Sequence, residues 1–247
     1  MEFPASLLQS LRNAKKIVAL TGAGISAENG LATFRDAQTG LWSKFKPEEL
    51  ATAEAFERNP KLIWDWYAWR REQAREAEPN AGHFALAQME KRTPGFLLVT
   101  QNVDGLHTRA GSKRIVELHG NIHRFRCFEN DCASDNFDVD QGRCRSCNGN
   151  LRPDVVWFGE MLPADALETA VTAVESCDVF FSIGTSSVVY PAADLWRRAK
   201  DSGAIVIEIN KDPTPLTPLA DHSFRGKAGE ILPALSSALI KAQFTER

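Results

Sequence analysis

At 247 residues the chain is long enough for one large core carrying a smaller insertion. Its 43% hydrophobic and 25% charged residues are those of a globular protein, and a formal net charge of −3 excludes the strongly basic character of a nucleic-acid binder. No run approaches the roughly 18 apolar residues of a spanning helix, and Met1–Lys16 lacks the apolar stretch of a secretory signal, so a cytoplasmic protein without membrane contact is expected.

Residues 5–13 read as a short helix with Leu7, Leu8 and Leu11 on one face. The run from Lys15 to Leu20 reads as a buried strand ending in the glycine turn Thr21-Gly22-Ala23-Gly24, with a helix N-terminus expected next. Residues 47–77 are helical in pattern and rich in aromatics, among them Trp64, Trp66, Tyr67 and Trp69, and residues 81–91 form another helix. Phe96–Thr100 and Ile115–His119 read as the second and third strands. From about 120 to 152 aliphatic residues become scarce, so that segment needs something other than an apolar core to hold it. Helices at 163–175 and 191–202 then alternate with strands at 178–183 and 204–209, and a helix at 228–243 ends the pattern.

Apolar strands alternating with helices predict an α/β fold, a Rossmann-like doubly wound parallel sheet. The helical stretch 30–80 and the segment 120–152 are read as insertions that together build a smaller module. The main domain then comprises 1–29, 81–119 and 153–247.

Glycines directly after a strand let the backbone turn sharply, and they also let it approach a phosphate closely. The pattern Gly22-Ala23-Gly24 fits either use, because Ala27 stands where a third glycine would complete the dinucleotide motif. Farther on, Phe34 could shield a reactive sugar from water and Arg35 could pair with phosphate; a flexible loop with one packed aromatic is the alternative. Gln101, Asn102 and Asp104 fall at a strand's carboxyl end, where α/β sheets bind ligands, although Asn and Asp before Gly105 also make ordinary turns. His119 closes the third strand. Its type suits a general base near neutrality, a structural role, or metal ligation.

The clearest spacing is that of the cysteines. Cys127 and Cys132 have four residues between them, Cys144 and Cys147 have two, and eleven residues separate the pairs. Two chelating pairs joined by a loop match a closed four-thiolate zinc site, which is structural because no coordination position stays open. Disulfides and an iron–sulfur cluster rank below it. Cys177 reads as a buried small residue.

In order, Thr21-Gly22-Ala23-Gly24-Ile25-Ser26, Thr33-Phe34-Arg35, Thr100-Gln101-Asn102-Val103-Asp104-Gly105-Leu106-His107, Leu118-His119-Gly120, the four cysteines and Gly184-Thr185-Ser186 resemble the sirtuins, the NAD-dependent protein deacylases. Two departures are visible: Ala32 stands where proline is usual, and the first cysteine pair is wider than the common spacing. The resemblance implies NAD as co-substrate, structural zinc and acylated lysines of proteins as substrates, with the enzyme acting as a monomer. It implies that His119 is the catalytic base. It also implies NAD contacts from Gly22, Ala23, Gly24, Ser26 and Glu28, and from Phe34, Arg35 and Trp42. Gln101, Asn102 and Asp104 would hold the nicotinamide end; Gly184, Thr185 and Ser186 would meet phosphate or ribose; and Asn210, Lys211 and Ala228 would line the adenosine end.

Tyr67 and Arg70 lie three apart on a helix and share a face. An aromatic beside an arginine is commonly a packing or cation–π arrangement. The resemblance extends, however, to the sirtuin subgroup that takes succinyl-, malonyl- and glutaryl-lysine, and it implies that this pair binds the acyl carboxylate. The run from Arg152 to Glu160 also resembles that subgroup and would form the strand that pairs with the substrate backbone, with Val156, Trp157, Phe158, Gly159 and Glu160 as substrate contacts. Acetyl removal is expected as well. A dehydrogenase would use the same sheet and nucleotide, but the four cysteines and the strand end Gln101 to Asp104 argue against it, and nicotinamide release without reduced cofactor would exclude it. A mono-ADP-ribosyltransferase would share the loss of nicotinamide but leave ADP-ribose on protein.

Overall fold

The computed structural model describes residues 2–31, 46–130 and 132–245. Ten strands and nine α-helices are found among them. Six strands form one parallel sheet: β1 (Lys16–Thr21), β2 (Gly95–Thr100), β3 (Ile115–Glu117), β8 (Val179–Ile183), β9 (Ile205–Asn210) and β10 (His222–Arg225). Their order is β10-β9-β8-β1-β2-β3. The doubly wound Rossmann-like prediction is therefore correct.

The inner strands read as unbroken apolar runs because both of their faces are covered. Ile17 and Ala19 of β1 join Phe181 and Ile207 in a core under α1 (Ala5–Asn13), α5 (Ala81–Arg92) and α9 (Ala228–Thr245). Val18 and Leu20, one residue out of phase, join Phe180 and Val206 under α7 (Ala164–Val174) and α8 (Leu195–Asp201). The two-residue period of a strand thus divides one sequence run between two cores.

A third apolar cluster lies apart from the two on the sheet. The aromatic stretch is three helices rather than one: α2 (Pro47–Leu50), α3 (Ala53–Arg58) and α4 (Pro60–Glu76). The Thr52 and Asn59 side chains cap α3 and α4 by accepting from Ala55 N and Leu62 N, and each cap interrupts the helix before it. Ile63, Trp66 and Tyr67 of α4 pack with Phe56, Trp157, Ile122 and Val155. Ile122 belongs to β4 (Gly120–Cys127) and Val155 to β7 (Leu151–Val155), an antiparallel pair outside the main sheet. The remaining short elements are α6 (Leu106–Arg109), β5 (Phe137–Asp138) and β6 (Arg143–Cys144).

Four local expectations need correction. After β1 come two short 3₁₀ turns, Ala23–Ile25 and Ala27–Asn29, not a helix. The third strand stops at Glu117, so His119 lies in the turn before β4. Of the strand expected over 152–160, residues 152–155 lie in β7 and residues 156–160 form no regular strand; among these last only Phe158 bridges, to Thr52. β10 was not expected, because an edge strand reading His-Ser-Phe-Arg lacks the apolar run that marks its neighbours. Among the described residues no helix is long and apolar enough to cross a membrane.

Candidate active site

From β1 the chain moves to β2 and β3 on one side, and it later returns to β8, β9 and β10 on the other. The carboxyl ends of β1 and β8 therefore flank the switch point at which doubly wound sheets bind dinucleotides. Gly22 N donates to Ile183 O at 3.0 Å and Gly24 N to Gly184 O at 2.8 Å. A Cβ on Gly24 would stand 2.7 Å from Gly184 Cα, so this turn needs glycine for backbone-to-backbone contact.

Polar side chains converge beside it. The Ser26 hydroxyl donates to Asp104 Oδ2 at 2.7 Å and accepts from Asn102 Nδ2 at 3.1 Å. Leu106 N donates to the other Asp104 oxygen at 2.9 Å. Burial raises the Asp104 pKa, with these hydrogen bonds opposing the shift. Gln101 Nε2 donates to Thr185 Oγ1 at 2.9 Å, and Asn210 Nδ2 donates to Thr185 O at 2.8 Å, tying the ends of β2, β8 and β9 together. Ser187, in the left-handed region at φ 56°, keeps a buried Oγ without a partner. These donors and acceptors, gathered at the switch point, suit the hydroxyls, carboxamide and phosphates of a dinucleotide.

His119 is held from one side. Its Nδ1 lies 2.9 Å from Gln101 O. A carbonyl can only accept, so Nδ1 carries the proton and Nε2 keeps its lone pair. Burial lowers the pKa of this imidazole and so favours its neutral form, with the Gln101 bond opposing part of the shift.

On α4, Tyr67 is buried and its hydroxyl accepts from Trp157 Nε1 at 2.9 Å. Burial pushes this hydroxyl up to about 12, against the opposing pull of the Arg70 charge, so it remains a neutral donor. The Arg70 guanidinium lies 5.0 Å from the centre of the Trp66 ring.

The four cysteine sulfurs lie within 4.8 Å of one another. The Cys127–Cys147 separation is 3.5 Å and the Cys132–Cys147 separation 3.7 Å. Sulfurs about 2.3 Å from a tetrahedral zinc would be about 3.8 Å apart, so the group fits zinc; a disulfide would need about 2.05 Å. His119 is not among the clustered ligands.

The profile described as the Sir2 family matches residues 22–191. An NAD-dependent protein deacylase of Aquifex aeolicus is 55% identical over 86% of this chain and 90% of its own. NAD-dependent protein deacylase 1 of Archaeoglobus fulgidus is 48% identical over 96% and 98%. The chain belongs to the Sir2 family. Among solved structures, a Sir2 homologue in complex with NAD superposes with a TM-score of 0.90 at 46% identity, covering 98% of this chain and 95% of that one.

The Sir2 fold brings Gly22, Gly24, Ser26, Gln101, Asn102, Asp104, Gly184, Thr185 and Asn210 together, with Ala23 and Ser186 adjacent in the chain. The surroundings of the other residues expected at the site are as follows. Glu28 accepts from Gly229 N at 3.2 Å, at the start of α9. Ala228 is buried where α9 meets Gly82 of α5, and Lys211 is exposed beyond β9. Phe34, Arg35 and Trp42 lie outside the described residues. Val156 N donates to His119 O at 2.9 Å, Phe158 is exposed and Gly159 has φ 86°. Trp157 is 2% exposed, and Glu160 binds Arg152, Arg126 and Trp157 N.

Two histidines had no assigned part. His83 Nε2 lies 3.4 Å from Ser26 Oγ, and His107 Nε2 lies 2.9 Å from Thr21 Oγ1. Burial pushes His83 down to about 4 and holds His107 well below the ordinary value, so both support the polar cluster as neutral imidazoles. Ser26 and His83 are 57 residues apart, and no local pattern in the sequence joins them.

A chelator strong enough to strip a four-thiolate zinc should unfold the segment between Cys127 and Cys147 while leaving the main sheet folded. Among the described residues the apolar group there has only Cys127, Cys144 and Leu151 as buried members, so a bound metal would carry most of the fold. Limited proteolysis reads this directly: new cleavage confined to that segment is expected, and undiminished protection would exclude a structural metal.

Proposed function

We propose that this protein is an NAD-dependent protein-lysine deacylase that removes succinyl and malonyl groups, and acetyl groups as well. The observation that carries the reading is the His119 imidazole, oriented by Gln101 O and left with a basic Nε2 beside the polar cluster at the sheet's switch point. The names of the relatives and the NAD complex of a similar structure support the same class. So does a Sir2–p53 peptide–NAD complex, 29% identical, with a TM-score of 0.84.

NAD, when bound, would supply the ribose carbon that takes the acyl oxygen as nicotinamide leaves; one water would then release the amine, so that the products are free lysine, nicotinamide and O-acyl-ADP-ribose. Asn102 and Asp104 hold the nicotinamide end, with Ser26 orienting both. Gly184, Thr185 and Ser186 face the phosphates and ribose, while Asn210, Lys211 and Ala228 line the adenosine end. Phe34, Arg35 and Trp42, outside the described residues, would be the remaining NAD contacts of this reading. His119 Nε2 takes a proton from a ribose hydroxyl. Acyl-lysine enters between the main domain (1–29, 81–119, 153–247) and the smaller module (30–80, 120–152), against residues 156–160. There Tyr67 and Arg70 receive a distal carboxylate; the Tyr67 side chain offers a neutral hydroxyl and Arg70 a charge. The enzyme works as a cytoplasmic monomer on protein substrates.

Mass spectrometry on one peptide carrying succinyl-lysine or acetyl-lysine, with and without NAD, tests this. Faster NAD-dependent loss of succinyl is expected. Acetyl loss alone would remove the carboxylate assignment, and NAD cleavage without acyl loss would favour ADP-ribosyl transfer.

A further inference from the structure

Trp157 was expected to touch substrate, yet its side chain is almost wholly buried. Its indole N–H reaches Tyr67 Oη at 2.9 Å, inside the smaller module. An indole nitrogen donates and cannot accept, so the direction of this bond is forced. The tyrosine oxygen must accept, and its single proton must point elsewhere. Among the described residues Trp157 is the one hydrogen-bond partner of that hydroxyl.

The indole is itself fixed. Phe56 and Phe128 pack against it with ring centres 5.3 and 6.3 Å away. The Arg152 guanidinium lies 3.3 Å from the centre of the ring, and Arg152 Nη2 donates to Val155 O at 2.7 Å. Glu160 binds both guanidinium ends, Nη2 at 2.9 Å, and accepts from Trp157 N at 2.8 Å. One carboxylate therefore anchors the backbone of Trp157 and the cation on its ring, so the indole has little freedom to turn away from Tyr67.

We propose that Trp157 is a positioning residue for acyl selectivity: its N–H occupies the acceptor side of the Tyr67 hydroxyl and so presents the Tyr67 proton to a carboxylate on the acyl chain. This rests on the reading that Tyr67 and Arg70 receive that carboxylate. A hydroxyl free to rotate could turn its lone pairs toward the anion, which repels it. With the indole in place, the proton-first arrangement is set before substrate arrives, and its ordering cost has already been met.

Trp157→Phe keeps an aromatic ring and deletes the N–H. Steady-state kinetics on matched succinyl- and acetyl-lysine peptides should show a roughly tenfold fall in the succinyl-to-acetyl ratio of kcat/KM, the size of one hydrogen bond to a charged group. The fall should lie in KM for the succinyl peptide. In a Tyr67→Phe background, Trp157→Phe should produce no further fall in that ratio, because its effect is transmitted through the hydroxyl. A merely structural role would depress both peptides together and equally in both backgrounds, and that result would overturn the proposal. Should Trp157→Phe fail to fold, a tryptophan analogue with sulfur in place of the ring N–H, incorporated at position 157, preserves size and stacking and must give the same shift. If Tyr67→Phe and Arg70→Met themselves leave the ratio unchanged, the carboxylate reading fails. If they lower it and the change at 157 does not, only the positioning role fails.

Discussion

His119→Ala is expected to lower kcat/KM for NAD-dependent deacylation by about a hundredfold to ten-thousandfold, the range of one general base. Nucleotide and peptide should still bind, because the side chain's own hydrogen bond runs to the backbone carbonyl of Gln101 and to no side chain of the polar cluster. Isothermal titration with NAD beside turnover of an acylated peptide separates the two quantities. A variant that keeps most of its rate would remove His119 from the chemistry. The parent enzyme carries a matching signature in pH. Burial lowers the His119 pKa, so the base stays unprotonated further into acid than an exposed histidine, whose value is about 6.5. The acid limb of kcat/KM should therefore fall below that pH, with activity lost as pH drops through the folded value and flat above it.

The second large effect concerns the acyl chain. Arg70→Met should reduce desuccinylation roughly a hundredfold and Tyr67→Phe roughly tenfold, with deacetylation changing far less. The asymmetry follows from the chemistry: the arginine supplies a charge and a fork of donors, the tyrosine one neutral donor kept protonated by its burial. Both side chains also pack, Tyr67 at 4.6 Å from the Trp66 ring centre and Arg70 over the same ring. Packing loss alone would lower both reactions in step. Matched peptides assayed on each variant, with melting temperatures recorded alongside, decide between the two.

The sheet was legible because buried parallel strands are short apolar runs, and the zinc site because chelation demands its spacing. The three-helix break at 47–76 was harder to see. Thr52 and Asn59 are ordinary polar residues until their side chains are found capping the next helix. The polar cluster was legible at its strand ends, Gln101 to Asp104, but its supports were not. His83 and His107 come from separate helices, and their rings meet with centres 4.7 Å apart only after folding. The sequence leaves the glycine turn open between a sharp backbone turn and a phosphate contact; in the folded chain Gly22 and Gly24 meet the backbone of Gly184, a contact no sequence window contains. The run around Trp157 was read as a substrate-facing strand; the aromatic core that buries the indole is assembled from α3, α4, β4 and β7, which no sequence window contains.

The Gly24–Gly184 crossing also governs how stiff the cleft is. Side chains that meet across a gap can change rotamer, and a gap they define breathes with them. Here the loops after β1 and β8 touch through bare backbone, joined by the Gly24 N to Gly184 O bond. No torsion beyond the main chain can alter their separation. The spacing of the two loops is therefore set by main-chain geometry alone, and a nucleotide bound across the switch point would meet a gap that no side-chain rotamer can widen.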